Sequence, residues 1–181
     1  MKLLGINIEG RLNFDSHVNT LLSKANKKYH ALARVCNYMD INKRRLLMNA
    51  FIISQFSYCP LVWMFHSRGV NNKINSLHEK SLRLIYKNKP NLSFDDLLKE
   101  NKSVKIHQRN LQTLATEIYK VKNDLGPEIM KEVFQFIEKP YNLRNNYFGT
   151  ESITSLAPRI WEILPVEIKN AKSSGIFKEK L

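Results

Sequence analysis

Between Leu46 and Phe65 the chain runs for 20 residues without a charged side chain. A run of that length meets the criterion for a membrane-spanning helix. Lys43, Arg44 and Arg45 flank it on one side and Arg68 on the other. Asn49, Ser54, Gln55, Ser57 and Pro60 spread polarity through it, which argues against a span. A helix that is apolar all round also serves as the central helix of a bundle, and that buried reading is preferred here. Pro60 should bend or divide the helix, since proline lacks the N–H that the next turn needs.

The rest of the chain reads as helical. Six glycines and six prolines in 181 residues are too few for many hairpins. Leu3 to Ile8 alternates loosely and predicts a short strand ending at Glu9-Gly10. Asp15 or Ser16 caps a first helix, with Val18, Leu21, Leu22, Ala25, Tyr29, Leu32, Ala33 and Cys36 on one face. Asp40 or Asn42 caps a second. A third spans about 70–88, with Ile74, Leu77, Ser81, Leu84 and Ile85 inward. Ser93 caps a short fourth helix, with Asp96 at the capping-box position. A fifth covers roughly 103–124, with Leu111, Leu114, Ile118, Val121 and Leu125 on one side, and Gly126-Pro127 ends it. The stretch 139–150 should be extended or looped, and helical character returns in 155–165, 166–171 and more weakly after Gly175. The expected fold is mainly α: a helical bundle over 13–90 behind a short N-terminal strand in 1–12. Further helices over 91–140 pack on it, and a smaller unit over 141–181 combines an extended segment with short helices.

Few residues suggest chemistry. Cys36 and Cys59 form no Cys-x-x-Cys pair and read as buried, reduced thiols, which suits an intracellular setting, nuclear or cytoplasmic. No secretory signal is evident in the first ten residues. None of His17, His30, His66, His78 and His107 has the spacing of a metal ligand pair. Asp95-Asp96 is a carboxylate pair of the kind two-metal nucleotidyl transfer uses. The residue two before it is Ser93 rather than an aromatic, and its surroundings are helical, so capping is the better reading. No catalytic and no metal-binding residue is therefore assigned.

Charge is more informative. Residues 1–109 carry 19 basic and 7 acidic side chains, a net +12, against +1 for 110–181. A basic portion of this size favours a polyanion partner, nucleic acid before anionic lipid. On a helical wheel Lys73, Lys80, Arg83 and Lys87 fall within a band about 80° wide, away from Ile74 and Ile85. Lys27 and Arg34 lie opposite the apolar face of the first helix, with Lys24 and Lys28 beside them. Such stripes can line a phosphate backbone, although any bundle helix also turns lysines to water. Tyr29 and Tyr38 are the aromatics among these cations that can stack on bases, but Tyr29 sits on the apolar face and belongs to the core.

The segment 3–32 resembles the part of non-LTR retrotransposon reverse transcriptases that follows the catalytic palm: Leu4-Gly5-Ile6, Leu12, Phe14, His17 and Lys24 stand in the places of that pattern. Residues 42–68 resemble the thumb of jockey-type elements, through Tyr58-Cys59 before Pro60, then Leu61 and Trp63. Segments 106–123 and 157–173 resemble the C-terminal part of the same polyproteins. The resemblance implies RNA-directed DNA synthesis with divalent magnesium, in which a thumb grips an RNA–DNA or DNA duplex through its phosphates without reading sequence. It implies metal-binding aspartates upstream, and no position here matches them. The chain thus reads as a truncated copy or partial product of a retroelement polymerase. It keeps the gripping part without the catalytic palm, takes no cofactor or small-molecule substrate itself, and has no membrane role. The residues expected at phosphates are Lys24, Lys27, Lys28, Arg34, Lys73, Lys80, Arg83 and Lys87. The competing readings are a helical remnant without a selected partner and a membrane-associated protein using Leu46–Phe65.

Overall fold

The structure, a computed structural model, describes residues 1–10, 14–134 and 153–181. Leu12 of the resemblance, the stretch 139–150 and the expected boundary at 140/141 lie outside the described residues. The chain is mainly helical and divides into two units, Met1–Arg109 and Asn110–Leu181. The division coincides with the step in net charge from +12 to +1.

The first unit opens on a hairpin rather than the single strand expected over Leu3–Ile8. β1 (Lys2–Leu3) pairs antiparallel with β2 (Ile6–Asn7) across Leu4-Gly5. Both turn residues have positive φ, 46° and 85°, the backbone of the mirror-image turn whose twist matches the strands it joins. Ile8 and Met1 extend the pairing, Ile8 N–H donating to the Met1 carbonyl at 2.8 Å. The hairpin docks through Ile6, which enters the core.

Helix α1 (Asp15–Val35) follows. Neither Asp15 nor Ser16 caps it. Phe14 stands at the cap with φ 55°, and the Glu9 carboxylate accepts from the Ser16 N–H instead, at 3.2 Å. Asp15 reaches elsewhere: its Oδ1 accepts from Ser67 N–H at 2.9 Å, at the start of another helix. A 3-10 turn over Cys36–Tyr38 ends α1, and Asp40 caps α2 (Ile41–Leu47) by accepting from Lys43 N–H at 2.9 Å.

The charge-free run is not one buried helix. After α2 it widens into a π turn over Met48–Ile52, tightens into a 3-10 turn over Ile53–Phe56, and breaks. Ser54 and Ser57 hydroxyls donate back to the carbonyls of Ala50 and Ile53, side-chain bonds that compete with the helical ladder and bend it. Of the two outcomes expected at Pro60, the run is divided and not bent: Pro60 begins α3 (Pro60–Trp63), at the position where a missing N–H costs nothing. One side of the run is buried, through Met48, Ile52, Phe56 and Trp63, while Leu46 is 67% and Phe51 48% exposed. Among the described residues no helix is long and apolar enough to cross a membrane.

Helix α4 (Arg68–Ile85) is capped by Ser67, and its inward face is the expected one: Ile74, Leu77, Ser81, Leu84 and Ile85 are buried. Helix α5 (Phe94–Glu100) adds Leu97 and Leu98 to the same core. Behind that core Arg45 donates to the Tyr86 hydroxyl at 2.8 Å and to Asn101 Oδ1 at 3.1 Å, joining α2 to both ends of the α4–α5 segment. Helix α6 (Ile106–Lys122) crosses from the first unit into the second.

The expected stop signal at Gly126-Pro127 is not what ends α6. Asp124 takes φ 56°, Leu125 N–H donates to the Lys120 carbonyl and Asp124 N–H to that of Val121. These are the two bonds of a Schellman closure, which satisfies the last carbonyls before the glycine is reached. Leu125, expected on the inner face, is consequently exposed. In the second unit α7 (Ile129–Val133), α8 (Ile153–Ile163), α9 (Val166–Lys169) and α10 (Ser174–Lys180) follow. Its small core stacks Tyr119 on Phe177 with ring centroids 4.4 Å apart, surrounded by Ile160, Trp161, Leu164 and Ile168. The Tyr119 hydroxyl donates to the Ala171 carbonyl.

Candidate nucleic-acid interface

Helices α1 and α4 lie side by side and run in the same direction. Two bonds fix this. At one end Asp15, the first residue of α1, holds the N–H of Ser67, the cap of α4. At the other end Lys87, just past α4, donates to Asn37 Oδ1, just past α1. Arg44 closes that end from beneath, giving Nε to the Cys36 carbonyl at 2.7 Å and Nη1 to the Ile85 carbonyl at 3.3 Å. A parallel pair carries the positive ends of both helix dipoles at one end.

The apolar stripes of the two helices meet below, and an open groove of about 490 Å³ lies above. Leu22 and Leu77 form its floor. Asn19, Ser23 and Asn26 line one wall, and Asn72, Lys73, Ser76 and Lys80 the other. The wall residues recur every three or four positions because that spacing returns to one face of a helix. Lys73 and Lys80 are two turns apart, about 10.5 Å along the axis. Amides, hydroxyls and ammonium groups in such a channel are the donors that phosphate oxygens accept from.

The electrostatics are one-sided. Asp15 and Glu79 are the carboxylates of the two helices, against Lys24, Lys27, Lys28 and Arg34 on α1 and Arg68, Lys73, Lys80 and Arg83 on α4. Asp15 faces Ser67, and Glu79 is ion-paired with Arg83 at 2.6 Å. Among the described residues Lys24, Lys27, Lys73 and Lys80 are exposed and enter no ion pair.

The eight basic residues expected at phosphates are thus not one surface. Lys73 and Lys80 line the groove. Lys24, Lys27 and Arg34 are exposed on α1, and Lys28 is half-buried. Arg83 is engaged: besides Glu79 it donates to the carbonyls of Pro90 and Leu92, pinning the loop after α4. Lys87 lies beyond the helix and holds Asn37. The wheel could not separate these, because Arg83 and Lys87 keep the right angle while their partners come from segments distant in sequence. The wall residues Asn19, Ser23, Asn26, Asn72 and Ser76 escaped sequence reasoning, although their spacing of three and four beside each apolar stripe was a readable sign.

The other candidates resolve into structure. Ser93 Oγ accepts from Asp96 N–H at 3.2 Å and donates to the Asp96 carboxylate, which holds that carboxyl below the usual range. Asp95 is ion-paired with Lys105 at 2.9 Å. Among the described residues no three His, Cys, Asp or Glu side chains gather as a metal site would require. Cys36 is buried as expected, but Cys59 is exposed, because it occupies the φ 45° position that turns the chain into α3. His17 and His78 are buried. His17 Nδ1 accepts from the Asn7 N–H, and burial, with Lys24 adding to it, lowers its pKa. Burial, aided by Arg109, pushes His78 down to about 4. His107 is lowered by burial and by His66.

Comparisons with protein-family models, curated proteins and solved structures returned no match for the chain.

Proposed function

We propose that the first unit grips nucleic-acid duplex through its phosphates, without sequence preference, as a thumb-like fragment of a retroelement RNA-directed DNA polymerase. The observation that carries the reading is the groove between parallel α1 and α4, with Lys73 and Lys80 uncompensated on one wall and amide and hydroxyl groups opposite. A groove of point charges and short polar side chains offers contacts to a repeating backbone and little to discriminate base edges. The likeness of 3–32 and 42–68 to the post-palm segment of such polymerases supports the same reading. In this reading the chain carries no nucleotidyl transfer of its own. Asp96 accepts from the hydroxyl of Ser93, the cap of α5, and Asp95 balances Lys105, so both of the paired carboxylates are engaged.

Binding of labelled RNA–DNA and DNA duplexes to the full chain tests this by fluorescence anisotropy. Reversing Lys73 and Lys80 together to Glu should weaken both duplexes at least tenfold. Reversing Lys99 and Lys102, exposed lysines on and just past α5, should change affinity far less. Equal losses from the two pairs would mean that net charge alone, and not the groove, attracts the duplex.

A further inference from the structure

The charge-free run from Leu46 to Phe65 has a side that the core does not use. Met48, Ile52 and Phe56 are buried, while Leu46 and Phe51 are large apolar side chains left in water, with Ala50 and Ser54 exposed beside them. Leu46, Ala50 and Ser54 are four residues apart, so they follow one side of the helical stretch over 41–56, opposite the buried series. Phe51 adjoins Ala50. At the edge of this face, about one turn before Leu46, stand Asp40 and Lys43, paired at 3.2 Å and both exposed.

We infer that a second copy of the chain docks on this face, in a symmetric dimer. Charge selects the occupant. Residues 1–109 carry a net +12, so two copies repel wherever their cationic helices approach. A charged partner gains nothing here, since a charge buried against Leu46 and Phe51 without a counter-charge costs more than the contact returns. The occupant therefore presents an uncharged apolar surface of its own, and this chain has one. A two-fold contact matches a patch with itself, which a neutral face permits and a lysine stripe forbids. The edge is self-complementary too: Asp40 and Lys43 supply one charge of each sign, so across a two-fold each meets its opposite. That balance disfavours an anionic membrane, whose docking relies on unmatched cations around the inserted side chains. A charge-depleted patch with an aromatic in it has the composition of an interface core. This holds whether or not the groove between α1 and α4 takes duplex.

Sedimentation velocity of the nuclease-treated full chain tests this, over about a hundredfold range of concentration, wide enough to sample a weak dimer. The chain should pass from monomer to dimer, and added salt should tighten the dimer by screening repulsion between the cationic units. Salt loosens contacts to phosphates, so the sign of its effect separates a true dimer from chains strung on residual nucleic acid. Leu46→Glu and Phe51→Glu, both at exposed positions, should each weaken dimerisation about tenfold, the order of one interface hot spot, with the circular dichroism spectrum unchanged. Val104→Glu, at an exposed apolar residue before α6, should leave it as it is. A spin label at Asn42→Cys, in a chain with Cys59→Ser, should broaden the Ala50 and Phe51 amides of a second, isotope-labelled copy. A chain that stays monomeric at every concentration and salt, a dimer that both face variants retain, or one that salt loosens would overturn the inference. So would a monomer that binds phosphatidylserine vesicles and loses that binding with Leu46→Glu, since lipid would then be the occupant. None of these outcomes touches the groove, whose duplex binding is read separately.

Discussion

His78 makes the first unit sensitive to mild acid. Its ring is buried on α4, packed edge-on against Phe94 with centroids 5.8 Å apart, and its Nδ1 has no hydrogen-bond partner among the described residues. Burial disfavours the imidazolium, and the nearby Arg109 guanidinium repels it, so the folded pKa is about 4 against 6.5 for an unperturbed histidine. Above pH 6.5 neither state binds a proton and the residue has no effect on pH dependence. As pH falls from 6.5 toward 4, the unfolded chain takes up a proton that the folded one refuses, and stability is lost throughout that window. Between pH 7.5 and pH 5 the loss is ~2 kcal/mol, rising to ~3 kcal/mol below pH 4. With a urea dependence of about 1–3 kcal/mol per molar, the unfolding midpoint should drop by roughly 1 M between pH 7.5 and pH 5. Trp63, fully buried in the first unit, reports this once Trp161 of the second unit is replaced by Phe. His78→Leu, similar in volume and unable to bind a proton, should remove most of the drop. A smaller slope should remain, because His17 and His107 are lowered in the same direction. A native-state His78 titrating near 6.5 by NMR, or a His78→Leu variant as acid-sensitive as its parent, would refute the reasoning.

Two further expectations follow from backbone and loop geometry. Leu4 occupies a positive-φ turn position while 81% exposed, so Leu4→Asn should raise stability by ~0.5–1 kcal/mol, visible as a higher thermal midpoint, whereas Gly5→Ala should lower it. Arg83→Ala should cost ~1 kcal/mol through the released loop carbonyls of Pro90 and Leu92, yet weaken duplex binding less than Lys80→Ala does. The reverse order in a binding titration would show that Arg83 leaves its loop to meet the ligand.

The helices were legible because their inner faces repeat at helical spacing, as on α4, and because local caps such as Asp40 and Ser93 need only neighbouring residues. What escaped depends on tertiary contacts. Asp15 looked like a cap for its own helix and serves the start of α4, 52 residues away. The strand over 3–8 folds back on itself because Leu4 accepts a conformation that leucine resists. The absence of charge over 46–65 suggested one buried helix. Serine back-bonding breaks the run into short pieces with one buried side. At the site, angular position along α4 brought Lys73, Lys80, Arg83 and Lys87 together, and only the loop carbonyls and Asn37 distinguish engaged cations from open ones.

The central claim is that an uncompensated cationic groove holds duplex phosphates, and its most direct measurement is the salt dependence of binding. Each phosphate contact releases condensed counterions and contributes a slope of about −0.9 in log K against log salt. The account predicts a steep negative slope for the intact protein, made shallower by about 1.8 when Lys73 and Lys80 are both replaced by Gln. Affinity that stays flat as salt rises, or a slope that the double variant leaves unchanged, would contradict it.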